Sequence, residues 1–312
     1  MKKTILITGG AGFIGSSLAE KLASDKNARI IIIDNLLTGS LNKVPTSEYD
    51  NVTFIKGDVN KLPELAHAFT EYKPNHVFHF AAVVGVKRTL ENPLMVLNDL
   101  EGIRNVLQLS KKSGVERVLY SSSSEVYGEA TSEEQHEERT PLNSRLPYAV
   151  VKNACEAFLR AYHREFNLNY TIFRFFNTYG PKQSKDFVIS RFIASALKGE
   201  DITIYGDGGQ SRTFCYIDDS IEACVNEFKK GKFINDVINI GNDKETKITE
   251  LAELILRLTG SVSKIVHFPP LPEGDMKRRR PDITRMRTLF ERELTPLEEG
   301  IQKILENPKF IL

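Results

Sequence analysis

Apolar residues gather along the chain in short β-prone runs at 4–8, 29–33, 52–56, 76–80, 117–121 and 170–175. Between these runs, apolar positions recur at the spacing of a helix that covers one face of a sheet. Strand and helix alternating in this way predict an α/β fold, a Rossmann-like, doubly wound parallel sheet. One long helical stretch, 93–113, opens with Pro93 and stops before Gly114, and a second, 148–166, follows Pro147. Proline near a helix start and glycine just past its end are the usual boundary residues. Beyond residue 180 the alternation fades into shorter segments, which predicts a smaller mixed α/β lobe. The chain is therefore expected to divide into 1–178 and 179–312, with room for C-terminal segments to return to the first domain.

The first run leads directly into glycine. Thr4-Ile5-Leu6-Ile7-Thr8 is followed by Gly9-Gly10-Ala11-Gly12-Phe13-Ile14-Gly15 and then by a helically spaced segment from Ser16 to Leu22. Gly10, Gly12 and Gly15 fit G-x-G-x-x-G, in which missing side chains allow a sharp turn, close approach of a pyrophosphate and tight helix–strand packing. The helix start adds free N–H groups and a positive dipole end. A plain tight turn is the competing reading of the glycines alone. The second run, however, ends in Asp34, where a parallel strand presents an acid to the adenosine ribose and repels a 2′-phosphate. The two signals together predict NAD rather than NADP, held through Gly9, Gly12 and Gly15 with Phe13, Ile14 and Asn35 beside them. Asp58, followed by Val59, closes the third run and either touches the adenine or caps the next helix. The fourth run ends in His79-Phe80-Ala81-Ala82, and the small Ala81 and Ala82 would let the cofactor lie against backbone.

At 312 residues the chain can bury a large core, and a net charge of +1 gives no reason to expect nucleic acid. Cys155, Cys215 and Cys224 are odd in number and lack C-x-x-C spacing, which argues against a disulfide framework or a zinc site. Buried apolar thiols and no metal are expected. Met1-Lys2-Lys3 runs straight into a strand too short for a signal-peptide core or a membrane span, so a cytoplasmic protein with no membrane attachment is expected.

The fifth run ends in Tyr120-Ser121-Ser122-Ser123-Ser124-Glu125-Val126-Tyr127-Gly128. A polar loop is one reading of the serines. They precede Tyr148-Ala149-Val150-Val151-Lys152, however, in which Tyr148 and Lys152 stand four apart on one helical face. An ammonium one turn from a phenol stabilises the phenolate, and a serine hydroxyl near the same substrate oxygen can share its proton. Such a base strips an alcohol as a hydride leaves for a nicotinamide. The candidate catalytic residues are Ser123, Ser124, Glu125, Tyr148 and Lys152, the last two also beside the cofactor.

Taken with Arg174-Phe175-Phe176-Asn177-Thr178-Tyr179-Gly180-Pro181, these motifs resemble the extended short-chain dehydrogenase/reductase superfamily. Within it they resemble the NAD-dependent nucleotide-sugar epimerases, dehydratases and decarboxylases. The likeness covers almost the whole chain, through Tyr205–Phe214 to Leu297-Glu298-Glu299-Gly300. It implies that the C-terminal lobe holds a nucleotide diphosphate-sugar, UDP-hexose or UDP-N-acetylhexosamine first. On that implication Asn177 and Arg212 face the diphosphate and Tyr205 lies near the base, although core packing explains Tyr205 nearly as well. Lys87 and Arg191 are further substrate candidates. The basic run Met276-Lys277-Arg278-Arg279-Arg280 is either a solvated face or the source of a second phosphate contact through Arg278 or Arg279. The resemblance also implies a homodimer through a four-helix bundle. Leu94, Val96, Leu97, Leu100, Ala154, Ala157, Phe158 and Ala161 give helices 93–113 and 148–166 more apolar surface than sheet packing needs.

Several positions depart from the resembling enzymes. Many 4-epimerases carry arginine where Pro272 precedes Gly274-Asp275, and 4,6-dehydratases carry adjacent Asp and Glu where this chain has Ser124 and Glu125. The decarboxylases match at Ser-Glu-Val-Tyr-Gly and Arg-Pro-Asp-Ile but carry a proline-rich turn where Val83–Arg88 stands. The resemblance implies transient oxidation at sugar C4, which acidifies the C5 proton. Glu125 is the candidate C5 base, so dehydration or C5 proton chemistry is favoured, with 4-epimerisation and decarboxylation as alternatives. A non-catalytic NAD-binding sensor would not need Ser123, Tyr148 and Lys152, all of which are present.

Overall fold

The isoleucines of the second apolar run alternate between two cores. Ile30 and Ile32 pack with Ile5 and Ile7 on one side of the sheet, while Ile31 and Ile33 pack with Leu6 on the other. A parallel strand covered on both faces therefore reads as one unbroken apolar run. A computed structural model describes residues 3–129, 134–270 and 278–306, leaving out the side chains of Val86, Lys87 and Leu90.

The first half of the chain supplies β1 (Lys3–Thr8), β2 (Ala28–Asp34), β3 (Val52–Lys56), β4 (His76–His79), β5 (Arg117–Ser123) and β6 (Asn169–Phe175). Helices α1 (Phe13–Ala23), α2 (Leu62–Tyr72), α3 (Val86–Glu91), α4 (Pro93–Leu97), α5 (Asp99–Ser113) and α6 (Pro147–Phe166) lie between them. The expected single helix 93–113 is instead α4 and α5, interrupted at Asn98, whose own backbone stays helical (φ −62°, ψ −25°). An extra helix, α3, precedes it and ends at Asn92 (φ −131°, ψ 62°), where the following proline disfavours helical backbone.

The second half contributes β7 (Thr178–Tyr179), α7 (Val188–Lys198), β8 (Ile202–Tyr205), β9 (Ser211–Thr213), β10 (Cys215–Tyr216), α8 (Ile217–Lys230) and β11 (Asp236–Ile240). After these come β12 (Glu245–Lys247), α9 (Ile248–Thr259), β13 (Ile265–Phe268), β14 (Arg278–Arg279), α10 (Thr284–Arg287) and α11 (Leu297–Glu306). The main parallel sheet has the order β11-β6-β5-β4-β1-β2-β3. Strand order reverses between β1 and β4, the switch point at whose C-terminal edge open α/β sheets bind ligands. The chain after residue 178 is not a separate layer: β11 pairs with β6 from Asp236↔Thr171 to Ile240↔Phe175, and α8 packs on α1. The short sheets β12-β9-β14 and β13-β8 form the smaller lobe.

Cys155, Cys215 and Cys224 are buried and unbridged. Among the described residues no group of three or more metal-binding side chains comes together, and no helix is long and apolar enough to cross a membrane.

Candidate active site

A cavity of about 460 Å³ opens along the switch point, from the glycine turn after β1 to the serine-rich end of β5 and the start of α6. At its first end Gly9 takes a left-handed φ of +69°, and a Cβ there would stand 2.5 Å from the Ala81 backbone nitrogen. A Cβ on Gly15 would collide with the Gly9 carbonyl oxygen. Gly10, by contrast, faces the Ile32 side chain and does not line the cavity, so Gly9, Gly12 and Gly15 are the glycines that shape it. Gly12 is the N-cap of α1 and provides no side-chain cap, which leaves first-turn N–H groups to a ligand. Phe13 and Ile14, on that turn, also line the wall.

Asp34 is nearly buried at the next strand end. Its Oδ2 accepts the Ala11 N–H at 3.0 Å and its Oδ1 the Leu36 N–H at 2.8 Å, so each oxygen keeps a lone pair for a ribose hydroxyl. Asn35 donates to Asp58 Oδ2 at 3.3 Å, while Asp58 Oδ1 accepts the Asn60 N–H at 2.9 Å. Asp58 therefore shapes the turn that leads into α2 and lines the cavity as well, beside Val59, Ala81 and Ala82. Behind Ala81, Thr8 Oγ1 accepts its N–H at 3.2 Å and lies 2.7 Å from His79 Nδ1. Burial, aided by the Lys152 charge, pushes His79 down to about 3, so its ring is neutral and fixes this strand end.

At the far end of the cavity, Ser123, Ser124 and Glu125 come from β5 and the single 3-10 turn that follows it. Tyr148 and Lys152 come from the first two turns of α6, with the Lys152 ammonium 5.7 Å from the Tyr148 ring centre. Lys152 is buried and donates to the Ser121 carbonyl at 2.7 Å. Burial, then the Glu125 charge, pushes the Tyr148 phenol up, and a hydrogen bond with Ser123 draws it back in part. Burial pulls Lys152 down, opposed first by Asp99. Asp99 lines the same wall, accepts the Val83 N–H at 2.9 Å, and is itself pushed up by burial. Nothing in the sequence pattern singles it out.

The contact that sequence reasoning does not reach is an ion pair between lobes. Arg279 Nη1 lies 2.6 Å from Glu125 Oε1 and 3.3 Å from Ser124 Oγ, with its side chain 7% exposed and lining the cavity. Its neighbour Arg278 points elsewhere, into a bidentate pair with Glu245 at 2.8 Å for each bond. That pair holds the Glu245 carboxyl down at about 2. Asn177 lines the cavity and donates to the Thr213 carbonyl at 3.0 Å. Arg191 stacks 5.7 Å from the Tyr205 ring centre, and Arg212 donates to the Ser211 carbonyl at 2.8 Å. Neither Arg191, Tyr205 nor Arg212 lines this cavity. The Lys87 side chain, Pro272, Gly274-Asp275 and Met276-Lys277 lie outside the described residues.

A glycine cradle that any side chain would fill, an uncapped helix start and an acid at the second strand end fit a dinucleotide with a free ribose 2′-hydroxyl. Residues 5–241 match the NAD dependent epimerase/dehydratase family, and the chain belongs to it. It is an NAD-dependent enzyme of that family. It is 37% identical to a UDP-N-acetyl-alpha-D-glucosaminuronate decarboxylase of Bacillus cytotoxicus, over 93% of this chain and 92% of the relative. Among solved structures, a UDP-glucose 4-epimerase of Thermotoga maritima holding UDP-glucose superimposes with a TM-score of 0.90 at 31% identity, covering 97% of each chain. A UDP-glucuronic acid 4-epimerase of Bacillus cereus, in complex with UDP-glucuronic acid and NAD, superimposes with a TM-score of 0.89 at 28% identity, covering 99% of this chain and 98% of that one.

Proposed function

We propose that the enzyme oxidises C4 of a nucleotide-bound uronic acid and releases the C6 carboxylate as carbon dioxide. The observation that carries this reading is Arg279, a buried guanidinium fixed beside Glu125 at the sugar end of the cavity. A fork of N–H donors is the group that recognises a carboxylate, and a neutral hexose has no matching charge for it. Bound NAD supplies the acceptor for the C4 hydride. Tyr148 takes the C4 hydroxyl proton, with Ser123 hydrogen-bonded to the same oxygen and Lys152 supplying positive charge one turn away. A C4 ketone makes the C6 carboxylate part of a β-keto acid. Its C5–C6 bond breaks with the electron pair passing into the ketone, and C5 then takes a proton from solvent.

Arg279 also changes the weighting between reactions. Dehydration asks Glu125 to remove the C5 proton, for which it must first leave its partner. Decarboxylation needs no base at C5. The relationship to a uronate decarboxylase supports the same choice. Incubation in deuterated water with UDP-glucuronate, UDP-N-acetylglucosaminuronate, UDP-glucose and dTDP-glucose tests it. Loss of carbon dioxide from a uronate, with one deuterium at C5 of the product, is the expected result. Loss of water, or a product of unchanged mass, would overturn the reading.

We also propose a cytoplasmic homodimer. Leu94, Leu97, Val150 and Phe158 are exposed on α4 and α6, at the face expected to build a four-helix bundle, and three buried thiols suit a reducing compartment.

A further inference from the structure

Glu125 and Arg279 stand far apart in sequence on separate elements, yet one side chain bonds both to a side chain of the turn that carries Glu125 and to backbone carbonyls beside the segment that carries Arg279. Asn239, the next-to-last residue of β11, is fully buried. Its Oδ1 accepts from the Tyr127 hydroxyl at 2.7 Å, and Tyr127 is the last residue of the 3-10 turn that carries Ser124 and Glu125. Its Nδ2 donates to the Asp282 carbonyl at 3.1 Å and to the Gln135 carbonyl at 2.8 Å. Gln135 in turn donates its N–H to the Arg280 carbonyl at 2.8 Å and accepts the Asp282 N–H at 2.9 Å, clamping the segment just after Arg279. Since β11 is an edge strand, the Asn239 N–H is also available beyond the ladder, and it donates to Glu137 Oε1 at 2.8 Å.

The polarity of this chain of bonds is fixed. Arg174 can only donate, and its Nη1 gives a proton to the Tyr127 oxygen at 2.8 Å while its fork holds Glu156 at 2.9 and 2.7 Å. The Tyr127 proton must then point at Asn239, so the amide oxygen faces Tyr127 and the NH₂ faces the two carbonyls. Only an amide offers an acceptor on one side and two donors on the other at this size.

We propose that Asn239 is a positioning residue that sets Arg279 against Glu125, and so sets the enzyme's preference for a carboxylate-bearing sugar. The inference rests on the decarboxylase reading. Asn239→Asp keeps the shape but faces two carbonyls with an acceptor. Tyr127→Phe keeps the ring and removes the one hydroxyl that joins Arg174 to Asn239.

The experiment is a binding titration of UDP-glucuronate and UDP-glucose on the NAD-loaded wild type and both variants, with the melting temperature and NAD affinity measured alongside. The uronate-over-hexose preference should fall about tenfold or more, the scale of a hydrogen bond to a charged group, with UDP-glucose and NAD affinity unchanged. Variants that weaken both sugars equally, or that keep the wild-type preference, would show a structural role only and overturn the proposal. Should Asn239→Asp fail to fold, Tyr127→Phe decides alone. A wild type without uronate preference would sink the decarboxylase reading and this inference with it, whereas a preference that survives both variants sinks only the inference.

Discussion

Tyr148 enters this site with its phenol pushed up by burial and by Glu125. Removing its hydroxyl leaves the binding groups in place, so Tyr148→Phe should lose turnover by about 10²–10⁴-fold while still binding nucleotide-sugar, as steady-state kinetics and titration would report. Glu125→Gln makes an opposite kind of change. It removes one upward push, so the phenolate forms at lower pH and the alkaline rise of C4 oxidation, followed by nicotinamide absorbance, should shift towards neutrality. Asp34→Ala should weaken NAD and reduce discrimination against NADP, measurable by direct titration of both. A wild type that preferred NADP would refute the ribose reading of that acid. His79 speaks to stability. Between about pH 3 and pH 6.5 the unfolded chain binds a proton at this ring that the folded chain refuses, so stability falls as pH falls through 6.5 and levels off below about 3. From about pH 7.5 to about pH 5 the loss should be about 2 kcal/mol, and His79→Gln should remove that part of the slope in denaturant titrations. At this scale the strand-end residues are legible in sequence because β1 to β5 aim them at one edge. The Glu125–Arg279 pair is not, because 154 residues separate its members and only the folded lobes bring them together.

Among the elements, the strands of the alternating first half are readable and those beyond residue 180 are not. β1 to β6 fall within two residues of the expected runs because each holds adjacent apolar residues in the regularly alternating part of the chain, even where β3 is partly exposed and β6 carries Thr171 and Arg174. β11 escapes that reading because Asp236-Val237-Ile238-Asn239-Ile240 lies beyond residue 180, where the strand–helix alternation fades. The two helices expected at a dimer contact divide their apolar residues in an informative way. Val96 is spent in the core, whereas Leu94 is 77% exposed and Leu97 and Phe158 remain open as well. If the proposed dimer forms, wild type should give a dimer mass by light scattering, and Leu94→Glu combined with Phe158→Glu should give a monomer. A wild-type monomer at micromolar concentration would refute the bundle.

For the molecule as a whole, the parallel sheet and its ligand edge follow from strand–helix alternation, whereas the traffic between the two halves does not. The seventh strand is supplied only after the smaller lobe has begun. That order has a consequence for how the chain is made. Residues 176–235 must leave the ribosome after β6 and before its outer neighbour β11 exists. At about 5–20 residues per second this takes several seconds. Throughout that interval β6 presents an open row of N–H and C=O groups, the surface on which nascent chains pair with one another. The stretch of synthesis most in need of a chaperone thus lies in the middle of this polypeptide, and slow codons between β6 and β11 would prolong it.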